Sequence, residues 1–248
     1  MIALIDGDIV AYRCAAAAEN FDVSVGIDWA SNLIKDIIDA TEADQYKIFL
    51  SGGDQFRKKL DPQYKANRKD VVKPKWLADL QLFLVTDWHA ETTDGYEADD
   101  ALGMLQTKYG RGSTICSLDK DLLQIPGHHY NFAKKLHQTI TWEQGIKFFY
   151  TQTLVGDTAD NVVGVRGIGP VKANKILSAC SPEEYYRVCK ELYDSEERYH
   201  TNCKLLWIWR KMNDEWTPTY GSDSEESKEE NTASKEVQQT KEAAPLQV

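Results

Sequence analysis

The chain has 248 residues, of which 42% are hydrophobic, and it carries a formal net charge of −10. That length fits one large domain or one domain with an appendage, and no apolar run reaches the roughly 18 residues that favour a membrane span. The five cysteines are scattered and show no paired spacing, which argues against a disulfide framework or a zinc site. We therefore expect a cytoplasmic, monomeric protein with free thiols and no membrane association.

Apolar runs in the first 140 residues predict strands over Ile2–Ile5, Tyr46–Leu50 and Ser113–Ser117. Helical spacing and composition predict helices over residues 8–19, 28–41, 75–86 and 97–108. Residues 52–75 are rich in Lys, Arg, Gly and Asp, which predicts an exposed, mobile segment. Strands that alternate with helices predict an α/β fold, with a central, mostly parallel sheet and helices on both faces.

Three regions follow from this pattern. We assign residues 1–141 to the α/β core and residues 142–220 to a mainly helical extension, and the run Leu136–Ile140 between them is ambiguous. Residues 221–248 hold seven acidic and three basic side chains and no aromatic ones, which predicts a disordered acidic tail. The acidic balance alone argues against a nucleic-acid partner. A local basic stripe would nevertheless suffice to bind DNA.

Eight acidic residues lie at predicted strand ends, at a helix start or in the segment GDTADN. They are Asp6, Glu97, Asp99, Asp100, Asp119, Asp121, Asp157 and Asp160. Taken singly, several of them are more typical of helix caps and turns. In a parallel sheet, however, the crevice beyond the carboxyl ends of the strands is the usual ligand site, and carboxylates gathered there repel one another unless cations bind. Such oxygen ligands suit two or more Mg²⁺ or Mn²⁺ ions, which can promote phosphoryl displacement.

Two basic segments accompany the acids. In residues 164–177, Gly167 and Gly169 precede a helix that carries Lys172 and Lys175, a pattern that favours contact with phosphates. In residues 61–75, Lys65 and Arg68 lie near Tyr64, and basic side chains beside an aromatic one suit single-stranded nucleic acid. A plain glycine turn and a solvated charged loop remain the alternatives for these two segments.

Five motifs occur in order along the chain: LIDGD (4–8), YKANR (64–68), EADD (97–100), SLDKDLLQI (117–125) and GDTADNVVGVRGIGPVKA (156–173). In their order and spacing, they resemble the motifs of the flap endonuclease and 5′–3′ exonuclease family of PIN-like nucleases, especially its short bacteriophage members. The resemblance implies a metal-dependent nuclease that acts on DNA with 5′ ends, flaps or nicks, and also on RNA–DNA hybrids. A viral source would place the protein in the host cytoplasm.

The same resemblance implies roles for individual residues. The eight acids would bind the metal ions, and Lys65 and Arg68, in a helical arch over about 52–75, would contact the scissile phosphate with Arg13 as a further basic group. A helix–three-turn–helix hairpin over about 156–178 would bind duplex DNA and hold a K⁺ ion. Asp8 departs from the family pattern, because many members have a neutral residue there. The acidic tail is an expected contact for a replication protein, and the absence of a polymerase region predicts a free-standing nuclease.

Two other functions compete with this prediction. A PIN-domain ribonuclease would share the sheet and its acidic crevice, but it normally lacks the arch segment and the glycine hairpin. A non-catalytic DNA clamp would be expected to lack some of the carboxylates, because unused clustered charge is costly. All the motif acids are present, which favours the nuclease.

Overall fold

A computed structural model describes residues 1–218, which form a six-stranded sheet with helices on both faces. The strands are β1 (Ile2–Asp6), β2 (Gln45–Leu50), β3 (Glu91–Thr92), β4 (Ser113–Cys116), β5 (Gly127–Asn131) and β6 (Leu136–Ile140). Their order across the sheet is β3-β2-β1-β4-β5-β6. All neighbouring strands are parallel except β5 and β6. The predicted mostly parallel α/β fold is therefore confirmed.

The described helices divide between the sheet and a C-terminal extension. The helices up to the end of the sheet are α1 (Gly7–Ala17), α2 (Val23–Ala40), α3 (Phe56–Leu60), α4 (Leu77–Asp87) and α5 (Ala98–Tyr109). The extension contains α6 (Trp142–Val155), α7 (Pro170–Leu177), α8 (Tyr185–Glu191) and α9 (Glu196–Leu206), with a two-stranded ribbon, β7 (Gly156–Asp157) and β8 (Val162–Val163), between α6 and α7.

Alternating side chains of β1 anchor both faces of the sheet. Ala3 and Ile5 belong to the buried cluster that includes residues of α1, α2 and α4, whereas Leu4 packs in the cluster on the other side, with α5. This alternation is the ordinary consequence of the pleat, in which successive side chains point to opposite faces. The central strand β1 is thus fixed on both faces, which gives a rigid base to the residues that follow it.

The extension has an aromatic core of its own. Phe149, Tyr150, Trp207 and Trp216 are almost fully buried in one cluster formed largely by α6–α9 and the chain that follows them. Residues 219–248 lie outside the described part, and with them lies the predicted acidic tail. No helix among residues 1–218 is long and apolar enough to cross a membrane.

The segment 52–75 differs from its prediction. It contains the short helix α3, and its side chains Arg57 and Tyr64 are almost completely buried, so the expectation that the segment is exposed was wrong for these residues. The stretch around Val72, which is 90% exposed, does match the expected exposure. The segment is therefore anchored at its base and exposed farther along.

Candidate active site

A pocket of about 190 Å³ lies beyond the carboxyl ends of β1, β2 and β4. We call it the acidic pocket, and the residues that line it are Asp6, Asp8, Ile9, Ser51, Lys65, Arg68, Glu97, Asp99, Asp119, Lys120, Asp121, Asp157, Ala159 and Asp160. It therefore contains every predicted metal-binding acid except Asp100. Its position agrees with the usual location of ligand sites in parallel α/β sheets.

Asp6 ends β1 and begins α1. Its Oδ1 accepts a hydrogen bond of 3.1 Å from the amide of Ile9, which caps the helix, and its Oδ2 accepts one of 2.6 Å from the hydroxyl of Ser117. Burial raises the pKa of Asp6 to about 7, and repulsion from Asp8 and Asp119 adds to this effect, although both hydrogen bonds oppose it. Capping and a place in the pocket are thus compatible for the same carboxylate.

The loop after β4 contributes Asp119 and Asp121. The amide of Asp119 donates to the hydroxyl of Ser117 at 2.9 Å, and Oδ1 of Asp119 accepts from the amide of Asp121 at 2.8 Å. Gln152, on α6, donates to Asp121 at 2.6 Å. Burial raises the pKa of Asp121 to about 7, with further increases from Asp119 and Asp157. A bound cation would relieve this repulsion.

The start of α5 contributes Glu97 and Asp99. Glu97 is the N-cap residue, and its carboxylate contacts Lys65, the hydroxyl of Tyr64 at 2.9 Å and Nη1 of Arg57 at 3.2 Å. Burial favours the neutral form, but these positive charges and hydrogen bonds outweigh it, so the pKa of Glu97 is lowered. In contrast, burial and the charge of Asp119 raise the pKa of Asp99 well above its ordinary value.

Asp100 lies outside the acidic pocket. Its side chain is fully buried and forms two hydrogen bonds with the guanidinium of Arg57, at 2.6 and 2.8 Å. The same carboxylate accepts from the amides of Glu97 and Trp209, each at 3.0 Å. Since its oxygens are engaged by these four donors, the expectation that Asp100 binds metal needs correction.

Asp157 and Asp160 enter the pocket from the ribbon that follows α6. Oδ1 of Asp157 accepts from the amides of Ala159 and Asp160 at 2.7 and 3.2 Å, and its Oδ2 lies 3.3 Å from Nζ of Lys120. Burial raises the pKa of Asp160, although Lys65, Tyr64 and Arg68 oppose that change. These two acids are distant in sequence from the acids at the sheet edge, yet both sets line the same pocket.

Lys65 and Arg68 bring positive charge from segment 52–75 into the pocket. Lys65 contacts Glu97 and lies 3.7 Å from Asp160, and Nη2 of Arg68 donates to Asp160 at 2.5 Å. Tyr64 is 4% exposed, and its hydroxyl oxygen lies 2.9 Å from Glu97 and 2.7 Å from Asp160. A ring so deeply buried offers no face for stacking on a base, so the expectation that Tyr64 binds DNA in this way is corrected.

The other predicted site residues lie outside the pocket. Arg13 is exposed on α1 and does not line the pocket. In the hairpin, Gly167 has a φ of +75°, a left-handed conformation that favours glycine. Gly169 is the N-cap residue of α7, and Lys172 and Lys175 are exposed on that helix. The predicted phosphate-binding residues therefore form a second surface.

Four residues in or behind the site were not among the predicted site residues. Asp8 lines the pocket and accepts from the amide of Ser51 at 3.0 Å, Ser117 and Lys120 contact the acids described above, and Arg57 pairs with Asp100. Lys120 lies in the sequence between Asp119 and Asp121, two predicted metal ligands, and this position could have indicated that it belongs to the site. Nothing in the basic run at residues 57–59 distinguishes Arg57, because its burial arises only from tertiary packing.

The chemistry of the pocket fits hydrated divalent cations. Burial and mutual repulsion raise the pKa of Asp6, Asp8, Asp99 and Asp121, and bound positive charge would reverse this effect. Among residues 1–218, no three acidic, histidine or cysteine side chains are placed so that they would directly hold one ion together. Mg²⁺ usually retains several waters and needs only one or two carboxylates. The acidic pocket is therefore suited to hydrated divalent ions, and not to an ion whose ligands all come from the protein.

A buried cluster of acids at the carboxyl ends of parallel strands, with basic side chains beside it, is suited to metal-dependent phosphoryl transfer, and the fold is PIN-like. The model of the family described as "5′-3′ exonuclease, N-terminal resolvase-like domain" matches residues 1–152. The chain therefore belongs to the 5′–3′ exonuclease family, whose members are metal-dependent nucleases that hydrolyse DNA.

The curated relatives agree with this assignment. A 5′-3′ exonuclease of Buchnera aphidicola is 36% identical over 187 residues, which cover 68% of this chain and 63% of that protein. A thermostable DNA polymerase I of Thermus thermophilus is 30% identical over 196 residues, which cover 71% of this chain and 24% of the polymerase. The chain thus matches about a quarter or less of the length of the DNA polymerases I among its relatives.

Solved structures show the same fold. The T5 D15 protein co-crystallised with metal ions has a TM-score of 0.68 at 19% identity, with 90% of this chain and 92% of that one covered. A bacteriophage T5 D15 flap endonuclease variant, described as a pseudo-enzyme–product complex with DNA and metal ions, has a TM-score of 0.64 at 18% identity, with 90% and 91% covered. The similarity extends beyond the sheet into the helical extension.

Proposed function

We propose that this protein is a structure-specific 5′-nuclease, which hydrolyses phosphodiester bonds near 5′ ends or flaps in DNA with the help of two or more Mg²⁺ or Mn²⁺ ions. The observation that carries the proposal is the convergence of seven predicted acids with Lys65 and Arg68 in one pocket. The names of the curated relatives and the metal- and DNA-containing T5 structures support it.

In this proposal the acids fall into two groups. Asp6, Glu97, Asp99, Asp119 and Asp121 lie at the sheet edge and would surround one hydrated ion, with one or two of them bound directly and the others through its waters. Asp157 and Asp160, on the ribbon, would hold a second ion in the same way. We add Asp8 to the first group because it lines the same pocket, and we leave out Asp100 because Arg57 occupies it. When bound, such ions activate a water molecule and neutralise charge on the transferred phosphoryl group.

Lys65 and Arg68 would act on the phosphate itself. Both pair with carboxylates in the pocket, Lys65 with Glu97 and Arg68 with Asp160. A scissile phosphate placed between them would accept hydrogen bonds from the same side chains, and preorganised donors of this kind stabilise charge that develops in the transition state. Arg13 lies outside the pocket, so its position supports no direct catalytic role.

The hairpin between α6 and α7 would hold the duplex. Gly167 and Gly169 leave the backbone accessible ahead of α7, and Lys172 and Lys175 are exposed on the helix. Backbone amides at a helix N-terminus and lysine side chains bind phosphates without reading sequence. A K⁺ ion on backbone carbonyls of residues 164–169 would complete this site. RNA–DNA hybrids are further proposed substrates, and removal of RNA primers is the corresponding role.

The test is cleavage of labelled DNA by the purified full-length protein. The substrates are a 5′ flap, a nicked duplex, a blunt duplex and a nicked duplex with a 5′ RNA segment, each with Mg²⁺ or with EDTA, beside an Asp99→Asn variant. We expect cleavage near the 5′ end with Mg²⁺ and its loss with EDTA and in the variant, and the product lengths separate exonuclease from flap activity.

Two results would overturn the proposal. Binding of DNA without cleavage, with Mn²⁺ as well as Mg²⁺, would instead indicate a non-catalytic clamp. Cleavage of single-stranded RNA with no cleavage of DNA would indicate a PIN-type ribonuclease.

A further inference from the structure

The buried guanidinium of Arg57, on α3, contacts both the start of α5 and the backbone at the end of α9. Arg57 belongs to α3, at the base of segment 52–75, and it is 2% exposed. It forms the paired hydrogen bonds with Asp100 described above, and its Nη1 also lies 3.2 Å from Oε2 of Glu97. The guanidinium therefore lies between two carboxylates at the start of α5, those of Glu97 and Asp100, and only Glu97 lines the acidic pocket.

The far side of the guanidinium is held by residues 205–209, which we call the C-terminal strap. Nε of Arg57 donates to the carbonyl of Leu205 at 2.8 Å, and Nη2 donates to the carbonyl of Trp207 at 2.6 Å. The strap also reaches Asp100, through the amide of Trp209 at 3.0 Å. Both members of the buried ion pair are thereby attached to the same backbone.

Aromatic packing fixes the strap against the same two elements. The ring of Trp209 stacks on Phe56 with centroids 4.7 Å apart, and Tyr96 stacks on Trp209 at 5.6 Å. Phe56 directly precedes Arg57, and Tyr96 directly precedes Glu97. The strap therefore sets the spacing between the base of segment 52–75 and the start of α5.

We propose that Arg57 is a positioning residue of the active site: with Asp100 and the C-terminal strap, it fixes the carboxylate of Glu97 for metal binding. The inference rests on the proposed function, in which Glu97 is a metal ligand. Groups that orient a ligand from behind commonly change metal affinity by about 10- to 100-fold when they are mutated. Asp100 and the two carbonyls of the strap together accept four hydrogen bonds from this one side chain. Arginine presents several donors in a fixed plane, whereas lysine does not.

The experiment compares Arg57→Lys and Asp100→Asn with the wild-type full chain. The matched control is Arg187→Lys, because Arg187 also pairs with two acids, Glu184 and Glu191, but on the exposed surface of α8. Binding of Mn²⁺ is measured by calorimetry, melting temperature is measured in EDTA, and single-turnover cleavage is measured across a Mg²⁺ series. Calorimetry reads the ligand site independently of DNA cleavage.

We expect both variants to weaken Mn²⁺ binding by about tenfold or more and to require more Mg²⁺ for half-maximal cleavage, with the control unchanged. Lower melting temperatures with unchanged Mn²⁺ affinity and Mg²⁺ dependence would overturn the inference, because they would show a purely structural contact. If Arg57→Lys does not fold, the same comparison is decided by Asp100→Asn and by Trp209→Leu, which removes the stacking that holds the strap.

Measurements on the wild-type protein separate the proposed nuclease activity from the proposed role of Arg57. Binding of Mn²⁺ by the wild type, weakened in the variants, but without cleavage of any DNA would contradict the proposed nuclease and leave the positioning role standing. Cleavage by the wild type with variants that bind Mn²⁺ normally would contradict only the positioning role. No Mn²⁺ binding by the wild type would contradict both.

Discussion

The hydroxyl of Ser117 donates a hydrogen bond of 2.6 Å to Oδ2 of Asp6. This contact joins the ends of β4 and β1, the two neighbouring strands at the centre of the sheet. The same hydroxyl accepts from the amide of Asp119. One small side chain thereby connects two acids that we assign to the same ion.

Replacement of Ser117 by alanine should weaken metal binding and shift its pH dependence. The hydrogen bond from Ser117 lowers the pKa of Asp6, which burial has raised to about 7, so its loss should raise that pKa further. We expect Mn²⁺ affinity to fall by about tenfold and the acidic limb of the pH–rate profile to move to higher pH. The control is Ser24→Ala, whose hydroxyl donates to Asp22 at 2.8 Å on the surface. An unshifted profile with normal metal affinity would contradict the role of Ser117.

The stability of the metal-free protein should fall as the pH rises from about 4 to about 7. Burial raises the pKa of Asp6 and Asp121 from 3.8 to about 7. In this range the folded state therefore binds more protons than the unfolded state, and stability decreases with pH. Because cations bind the ionised carboxylates, the increase in melting temperature caused by Mg²⁺ should be larger at pH 8 than at pH 5.5. Thermal unfolding with Mg²⁺ and with EDTA at both pH values measures this difference.

An increase caused by Mg²⁺ that is equal at both pH values would contradict the linkage between ionisation and metal binding. An Asp6→Asn variant is a useful partner in this experiment. In EDTA at pH 8 it should be at least as stable as the wild type, because it removes a charge repelled by Asp8 and Asp119 while it keeps an oxygen that can cap α1.

Lys65→Met should slow cleavage far more than it weakens DNA binding. Lys65 is partly buried and contacts Glu97 beside Asp160, so it lies where we propose that the scissile phosphate binds and away from the hairpin that we propose holds the duplex. Removal of one preorganised donor typically lowers kcat by about 10²- to 10³-fold. Single-turnover rates and DNA affinity in Ca²⁺ separate the two effects, with the exposed Lys69→Met as control. A variant that cleaves normally would show that Lys65 has no catalytic role.

Lys172→Gln and Lys175→Gln should weaken DNA binding without a loss of chemistry at saturating protein. Each exposed lysine on α7 that contacts a phosphate should contribute about one unit to the slope of log affinity against log salt concentration. The slope is measured by DNA binding in EDTA over a salt series, with Lys108→Gln as the control. Unchanged slopes in both variants would mean that the duplex lies elsewhere.

Most of the pocket could be predicted because the apolar runs of three strands and the acidic residues that follow two of them are visible in the sequence. Asp6 and Asp119 follow apolar runs, and the carboxyl ends of parallel strands meet at one edge. The strands β3 and β5 were missed because they lack this signal. β3 has only two residues, and β5 carries His128 and His129 in a polar sequence, so neither shows the apolar run that indicates a strand.

The sequence did not reveal which acids of α5 face the pocket. Residues three apart share a helix face, so sequence spacing alone predicts that Glu97 and Asp100 point the same way. Glu97 is the N-cap residue, however, with φ −90° and ψ 162°, so its side chain does not follow the helical spacing. Asp100 turns inward to Arg57, whose burial depends on the strap more than 140 residues later in the chain. Such a long-range partner leaves no local trace in the sequence.

If the acidic pocket is a metal-dependent active site, loss of one of its carboxylates should slow hydrolysis itself, and this is measured as the single-turnover cleavage rate of Asp119→Asn with Mg²⁺ on a 5′-flap substrate. Saturating protein removes differences in DNA binding, and Asp39→Asn, exposed on α2, is the control. We predict a decrease of about 10²-fold or more for Asp119→Asn and an unchanged rate for the control. Wild-type rates for Asp119→Asn would contradict the account, because phosphodiester hydrolysis would then not take place in this pocket.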